Sequence, residues 1–296
     1  MKHNLEKIKN CPICKGNSFS HHISCIDHNY SGDVFNIVKC DKCSFKFTNP
    51  RPKENDLYKY YKSENYISHT SSKKGIFNML YHIVRNYQFI KKYNLINKLV
   101  TKQNKKLLDV GSGTGEFLNY FKNKGWNVRG IETDKGAREF SLRNYNCRID
   151  KNLKDTVEKG EKFDVITLWH VLEHVYKFND YINVLKKLLK KDGYIILGLP
   201  NCNSYDAKHY NEFWYAYDLP IHVSHFTIND INRLSKANKF KSLSIRPLIF
   251  DAYYISMLSN KKSGKNLLMG LIIGWLSNKK AKKNLEYSSI IYILKS

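Results

Sequence analysis

Three glycines at alternate positions, Gly111, Gly113 and Gly115, follow directly on the apolar run Leu107-Leu-Asp-Val110 and lead into a helical pattern. Lacking side chains, they let the backbone turn tightly and bring its N–H groups and a helix N-terminus up to a polar ligand. The spacing narrows that ligand. A dinucleotide fingerprint needs glycine at 116, where this chain has Glu116, and a phosphate-binding P-loop needs a Gly-Lys-Ser/Thr that is absent. With Asp109 ahead of the glycines, the loop suits a ligand that has no phosphate and carries a cationic amino-acid end.

Four cysteines form a second constellation, Cys11-Pro-Ile-Cys14 and Cys40-Asp-Lys-Cys43, the two pairs separated by 25 residues. Each pair turns two thiolates toward one point, and two such pairs face to face make the closed tetrahedral site of structural zinc. Four protein ligands leave no open position, so the metal is expected to hold the fold and take no part in chemistry. His21, His22, Cys25 and His28 lie within the gap and can replace a ligand, but the regular spacing makes them bystanders. Cys147 reads as a packed strand-edge thiol, and Cys202 as one that can face an active site.

The third constellation is made of histidines. His170 and His174 flank Glu173, and His222 and His225 lie in Asp218-Leu-Pro-Ile-His-Val-Ser-His-Phe226. Imidazole titrates near neutrality and is the natural general base, so all five residues are catalytic candidates. His174 can equally satisfy a helix N-terminus or a buried carbonyl, and His222 and His225 can be simple loop structure. The stretch from Asn203 through His209 to Trp214 has the mixed aromatic and polar character of an acceptor pocket. Tyr61 and Tyr66 are candidates for closing over a cofactor.

From residue 105 to 200 the chain resembles class I S-adenosylmethionine-dependent methyltransferases. Four ordered motifs carry the resemblance: the glycine loop, Trp126-Asn-Val-Arg-Gly-Ile131 ending at Glu132, Phe163-Asp-Val-Ile-Thr-Leu-Trp-His-Val-Leu-Glu-His-Val175, and Leu188 to Pro200. It implies a Rossmann-like seven-stranded α/β sheet with helices on both faces, and S-adenosyl-L-methionine as cofactor. Glu132 would accept the ribose hydroxyls. Asp109, Gly111, Ser112, Gly113, Gly115, Thr133 and Trp169 would border the rest of the cofactor. The block His170-Val-Leu-Glu-His-Val175 resembles the Leu-Glu-His-Val segment of ubiquinone-biosynthesis O-methyltransferases and their small-molecule relatives, which implies that the end of strand four borders cofactor and acceptor together. A zinc module joined to such a domain also resembles the deoxysugar C-methyltransferases. Those carry a further C-terminal domain, whereas this chain ends with the last strand, so the expected acceptor is a saccharide, lipid or quinone precursor without commitment to sugar carbon.

The elements that must position these residues follow from pattern. Residues 1–52 read as a zinc-ribbon-like module with strands at Phe35-Asn-Ile-Val-Lys39 and Ser44-Phe-Lys-Phe-Thr48, closed by Asn49-Pro-Arg-Pro52, whose prolines mark a linker. Residues 53–104 read as linker and a long amphipathic helix from about Ile76 to Val100. From residue 105 strands alternate with helices, which predicts a parallel sheet covered on both faces. Helices are expected near 114–125, 134–145, 178–191 and 227–238, and strands near 240–247 and 286–294 as an antiparallel pair. Between those last strands an apolar insertion at about 248–284, flanked by lysines, suits core or subunit packing, a membrane interface or a substrate lid.

Composition excludes some functions. The chain has 296 residues, 42% hydrophobic, and a formal charge of +24, but 42 of its 50 basic residues are Lys scattered along its length. Arg, the usual reader of phosphate and base, is scarce, which disfavours nucleic acid as a partner. Base methylation is disfavoured further. The Asn/Asp-Pro-Pro-aromatic motif is missing after strand four, and Cys202 lies in Pro-Asn-Cys-Asn rather than after a proline. Ribose and protein targets stay open, as does a cofactor-binding scaffold without turnover. No apolar leader follows Met1, and no apolar run is long enough to span a bilayer, so a cytoplasmic protein is expected, with peripheral membrane contact or homo-oligomer formation through the insertion.

Overall fold

A computed structural model describes residues 4–28, 30–61 and 76–296, with side chains of the long helix from residue 84 onward. Tyr66 lies outside these residues. The chain begins with five strands, β1 (Leu5–Glu6), β2 (Phe19–Ile26), β3 (Val34–Cys40), β4 (Lys46–Thr48) and β5 (Arg51–Pro52), then a 3-10 turn (Glu54–Tyr61) and helix α1 (Ile76–Leu99). There follow β6 (Lys106–Val110), α2 (Glu116–Lys122), β7 (Asn127–Ile131), α3 (Lys135–Tyr145), β8 (Ile149–Asp150), α4 (Leu153–Glu158), β9 (Phe163–Trp169), α5 (Phe178–Lys187) and β10 (Leu189–Pro200). The last part holds α6 (Tyr205–Tyr210), β11 (Ser224–His225), α7 (Ile228–Ala237), β12 (Ser242–Pro247), α8 (Ile249–Lys262), α9 (Met269–Asn284) and β13 (Ser289–Lys295).

Seven strands form one sheet in the order β12-β13-β10-β9-β6-β7-β8. Five neighbouring strands are parallel, and β13 runs antiparallel between β10 and β12. β6 and β9 are mostly apolar because helices cover both sides, and both are buried along almost their whole length. Local signals set the helix starts. Asp134 accepts from the Ala137 N–H at 2.6 Å to begin α3, and Thr227 with Asp230 forms a capping box that begins α7. Helix α5 stops at Lys187, four residues earlier than its pattern suggested, because Leu189 already pairs with Phe163 as sheet.

The N-terminal module is woven into this domain. Its sheet runs β11-β4-β3-β2, so its fourth strand comes from residues 224–225, with Ser224 opposite Phe47 and His225 opposite Lys46. Phe45 packs against Phe178 of α5 and against Phe226, with ring centroids 5.7 Å apart in both cases. Asn179 donates to the Pro12 carbonyl (2.8 Å) and Arg233 to the Cys43 carbonyl (2.8 Å), so α5 and α7 each grip a cysteine turn. The segment 49–52 is not the open linker its prolines suggested. Arg51–Pro52 pairs with Leu5–Glu6 and is buried, Arg51 lies 4.1 Å over the Tyr176 ring, and the Tyr176 hydroxyl donates to the Pro52 carbonyl. A proline is tolerated in so short a strand because an edge position demands no N–H from it.

Candidate functional site

At the carboxyl ends of β6 and β7 the predicted cofactor residues come together. Parallel register puts Asp109 beside Thr167, whose hydroxyl donates to the Asp109 carboxylate at 2.6 Å. Asp109 is 3% exposed, and burial raises its pKa to about 7 in spite of that hydrogen bond and the charge of Lys92. Gly111, Gly113 and Gly115 all adopt positive φ. The loop they form turns the Gly113 N–H onto Glu132, 2.9 Å from its Oε2. The Asp134 N–H (3.0 Å) and the Thr133 hydroxyl (3.4 Å) hold Oε1 from the other side. A carboxylate has about four lone-pair sites, so Glu132 is oriented by these donors and keeps acceptor capacity for a ligand. Ser112 tucks under the loop with its hydroxyl 3.5 Å from the Ile131 carbonyl. Trp169 meets Phe117 edge-on at 5.9 Å, and the Lys92 ammonium of α1 lies 3.7 Å from the centre of its indole ring. Burial brings Lys92 down to about 8 although Asp251 and Asp109 oppose the shift.

The histidines assemble at the ends of β9 and β10. His170, with φ +55°, donates its N–H to the Gly198 carbonyl at 2.9 Å, and its Nε2 lies 3.1 Å from Asp251 of α8. Its Nδ1 is 3.6 Å from Glu173, too long for a hydrogen bond but within ion-pair range. Burial would lower the His170 pKa, yet Asp251 and Glu173 outweigh it and lift it to about 10. The ring keeps 40% of its exposure, so solvent screens these pairs and their contribution to stability is modest.

Glu173 is 1% exposed, and neither of its carboxylate oxygens has a hydrogen-bond partner. Burial pushes its pKa up, but the three surrounding imidazoles prevail and hold it below the usual carboxylate value. Donor atoms of Glu173, His174 and His222 lie within 4.8 Å of one another, and the rings of His174 and His222 meet edge to face at 4.6 Å. Tyr61 reaches in from the 3-10 turn to place its hydroxyl 3.0 Å from His174 Nδ1. His222 Nδ1 sits 2.9 Å from the Ala216 carbonyl, to which it donates, so this contact orients the ring. Burial, with the His222 charge, takes His174 down to about 4 and His225 well below its ordinary value, so both rings are neutral at pH 7.

His225 occupies the far wall of a cavity of about 10 Å³ that Glu173, Cys202, Trp214 and His222 also line. Its Nε2 is 3.1 Å from Thr48 of β4, whose own proton goes to the His222 carbonyl, so the ring is tethered to the cysteine module. Cys202 is a buried thiol raised to about 11 by burial, with Sγ against the carbonyls of His225 and Phe226, an environment that suppresses nucleophilicity. Trp214 belongs to the core, its indole N–H donating to Asp206 at 2.8 Å. Asp206 also takes hydrogen bonds from Ser277 (2.7 Å) and Ser288 (2.6 Å) and ties α6 to α9 and to the residue just before β13. Cys147 is buried near the Tyr145 carbonyl.

The four predicted cysteines converge elsewhere. Sulfur atoms of Cys11 and Cys43 are 3.6 Å apart, and those of Cys14 and Cys40 are 3.5 Å apart. A disulfide would bring them to about 2.05 Å. A tetrahedron with metal–sulfur bonds of about 2.3 Å has edges of about 3.8 Å, close to what is observed. The two turns are built alike. Lys15 and Ser44, each just after the second cysteine, take φ of +63° and +64°, and their N–H groups close back on the carbonyls of Cys11 and Cys40. Burial raises Cys11 to about 11. For Cys14 burial acts in the same direction, but the Gly16 amide and the facing thiols bring it down to about 7.

Two participants escaped the sequence. Asp251 lies in an apolar insertion that reads as packing, and its only signal is that it is the sole acid there. Lys92 lies on an amphipathic helix among several lysines, with nothing to distinguish it before the helix is docked.

The strand order, with one antiparallel strand between two parallel ones, and a glycine loop facing an acid at the end of the next strand define the class I methyltransferase fold. The chain belongs to the methyltransferase-domain family, whose profile matches residues 81–245. It is 30% identical over 109 residues to the ubiquinone biosynthesis O-methyltransferase of Bartonella tribocorum, covering 35% of this chain and 44% of that protein. To the enzyme of the same name from Idiomarina loihiensis it is 26% identical over 182 residues, 56% of this chain and 74% of the other. The chain spans about half the length of the curated relatives it matches. Among solved structures the plantazolicin methyltransferase BpumL, in complex with a pentazolic desmethylPZN analogue and SAH, superposes with a TM-score of 0.53 at 16% identity, over 82% of this chain and 94% of that one. Phosphoethanolamine N-methyltransferase 2 of Haemonchus contortus gives 0.51 at 13% identity over 94% and 68%. At these identities the fold is what is shared.

Proposed function

We propose that this protein transfers a methyl group from S-adenosyl-L-methionine to a small-molecule acceptor, a saccharide, lipid or quinone precursor, and that its four cysteines hold a structural Zn2+. The observation that carries the reading is Glu132, fixed by the Gly113 and Asp134 amides at the carboxyl end of β7 with acceptor capacity to spare. There it serves a ribose, while Asp109 lies where the loop meets the cationic amino-acid end. The cofactor supplies an already activated methyl group on sulfur. The protein's part is therefore to align the acceptor, an effect of up to roughly 7–11 kcal/mol in the best-positioned cases, and to take its proton.

For the proton the neutral imidazole of His174 and the ring of His222 are placed beside Glu173. Bound here, the cofactor would give up its methyl group from sulfur, which keeps the bonding pair as a neutral thioether, and a histidine nitrogen would take the acceptor's proton. The buried Glu173 carboxylate, which has no hydrogen-bond partner and only the more distant His170 as an ion pair, stabilises the imidazolium that results. Asp251 holds His170 cationic at the rim, which gives the site an electrostatic wall rather than a second base. Zinc fits the donor set: four thiol sulfurs at tetrahedral spacing leave no position for substrate.

Calorimetric titration of S-adenosylmethionine and S-adenosylhomocysteine into zinc-replete protein tests the reading, with Glu132→Ala and a nicotinamide dinucleotide as controls. Micromolar binding of both sulfur compounds, lost in the variant, is expected. Preference for the dinucleotide would overturn it.

A further inference from the structure

Helices α8 and α9 form an antiparallel hairpin whose inner face is closed by small residues. A Cβ on Gly270 would lie 2.5 Å from Met257 Cα, and one on Gly274 2.7 Å from Tyr253 Cα, so the two backbones touch. Ser277 and Ser259 bond this face to Asp206 and to the Tyr215 N–H. The outer face is unlike the inner one. Met269 (59% exposed), Ile272 (57%) and Trp275 (50%) stand out from the first turns of α9 together with Leu268 and Leu271, and Tyr254 stands out from α8. Soluble surfaces seldom gather such side chains in one place.

Charge decides what meets this face. Three lysines lie between residues 261 and 265 and four between 279 and 283, one group at each end of the apolar stretch of α9. The only acid from 249 to 284 is Asp251, already paired with His170. Lys279 rests 4.9 Å from the centre of the Trp275 ring, the pairing of aromatic anchor and cation that suits a headgroup layer. A symmetric dimer through this face would bring the lysine groups of two copies together with no acid of the hairpin but Asp251 to meet them. A nucleic acid would leave leucine, isoleucine and methionine against phosphate. No described helix is long and apolar enough to cross a membrane. We infer that the outer face of the α8–α9 hairpin lies in the interface of an anionic lipid bilayer, with its apolar residues among acyl chains and its lysines on acidic headgroups.

This inference is independent of the methyl-transfer reading, and its test needs no activity. The full chain is sedimented with vesicles of phosphatidylcholine alone and with vesicles that also contain phosphatidylglycerol, while tryptophan emission is followed. Binding to the anionic vesicles is expected, at least ~10-fold tighter than to neutral ones, weakened by salt and accompanied by a blue shift. The double substitution Ile272→Asp and Trp275→Asp, on exposed positions, should cut that binding by ~10-fold or more with an unchanged melting temperature. Lys135→Glu, on a helix at the β8 edge of the sheet, should leave it within about twofold. Equal or no binding to the two vesicle types would overturn the proposal, as would native binding by the double variant. So would lipid-free dimerisation that the double variant abolishes, because the face would then serve a second copy.

Discussion

Replacing Gly115 by Ala strains the loop in two separable ways. Gly115 has φ +81°, and an L-residue held there costs about 1–2 kcal/mol. The added methyl would also overlap the Ser141 hydroxyl and sit 2.9 Å from Ser141 Cβ. Ser141 is fully buried in α3 and has no room to swing aside, so overpacking adds about 1–3 kcal/mol. The expected loss is about 2–5 kcal/mol, a large share of a typical stability of 5–15 kcal/mol. The second part can be undone. The Ser141 hydroxyl has no hydrogen-bond partner, so Ser141→Gly forfeits no bond and costs only about 1 kcal/mol of helix propensity. Urea unfolding of the native protein, both single variants and the double variant closes a cycle. A favourable coupling of about 1–3 kcal/mol is expected, with the left-handed penalty remaining in the double variant. A coupling near zero, or a Gly115→Ala protein as stable as the native one, would refute the account of how the loop is seated.

Other outcomes follow from the same geometry. Asp109 titrates near 7 when folded and near 3.9 when unfolded, so the folded state holds the extra proton between those values and stability contributed by this group is lost as pH rises from about 4 to about 7. Asp109→Asn should flatten that slope in urea midpoints. If the cofactor's ammonium meets Asp109, binding at about pH 6 should release a proton, measurable by calorimetry in buffers of different ionisation enthalpy and absent in the same variant. Glu173→Gln should lower methyl transfer by roughly 10²-fold while cofactor affinity stays within about twofold; a loss confined to affinity would place Glu173 outside the proton path. Cys43→Ser or a strong chelator should remove the proposed zinc, lower the melting temperature and, through β4, disturb the His225 ring, which its proton resonance reports.

The sequence carries the sheet well because its central strands are continuous apolar runs bounded by glycine turns, and such runs have few other ways to be buried. Glu132, Asp109 and the glycines were legible because short-range spacing alone brings them to neighbouring strand ends. The histidine cluster was legible only as a set of candidates. That Glu173 meets His222 depends on residues 218–226 folding back over β9, which no local pattern encodes. The partnership of His170 with Asp251 and the seating of Lys92 over Trp169 depend on how two helices dock, and docking is decided by the whole surface. The prolines at 50 and 52 misled for a related reason. They mark the end of one strand order but say nothing of the partner, Leu5–Glu6, that returns from the start of the chain.

The borrowed fourth strand of the cysteine sheet bears on how the protein is made. During synthesis residues 1–48 leave the ribosome with both cysteine pairs and the sheet strands β2, β3 and β4, yet the edge of β4 that β11 covers has no neighbour until residues 224–225 emerge. A metal can close the two turns early, but that edge must wait through the production of five of the seven strands of the Rossmann-like sheet. When β11 arrives it brings His225 and His222 with it, so the step that completes the cysteine sheet is the same step that completes the histidine cluster.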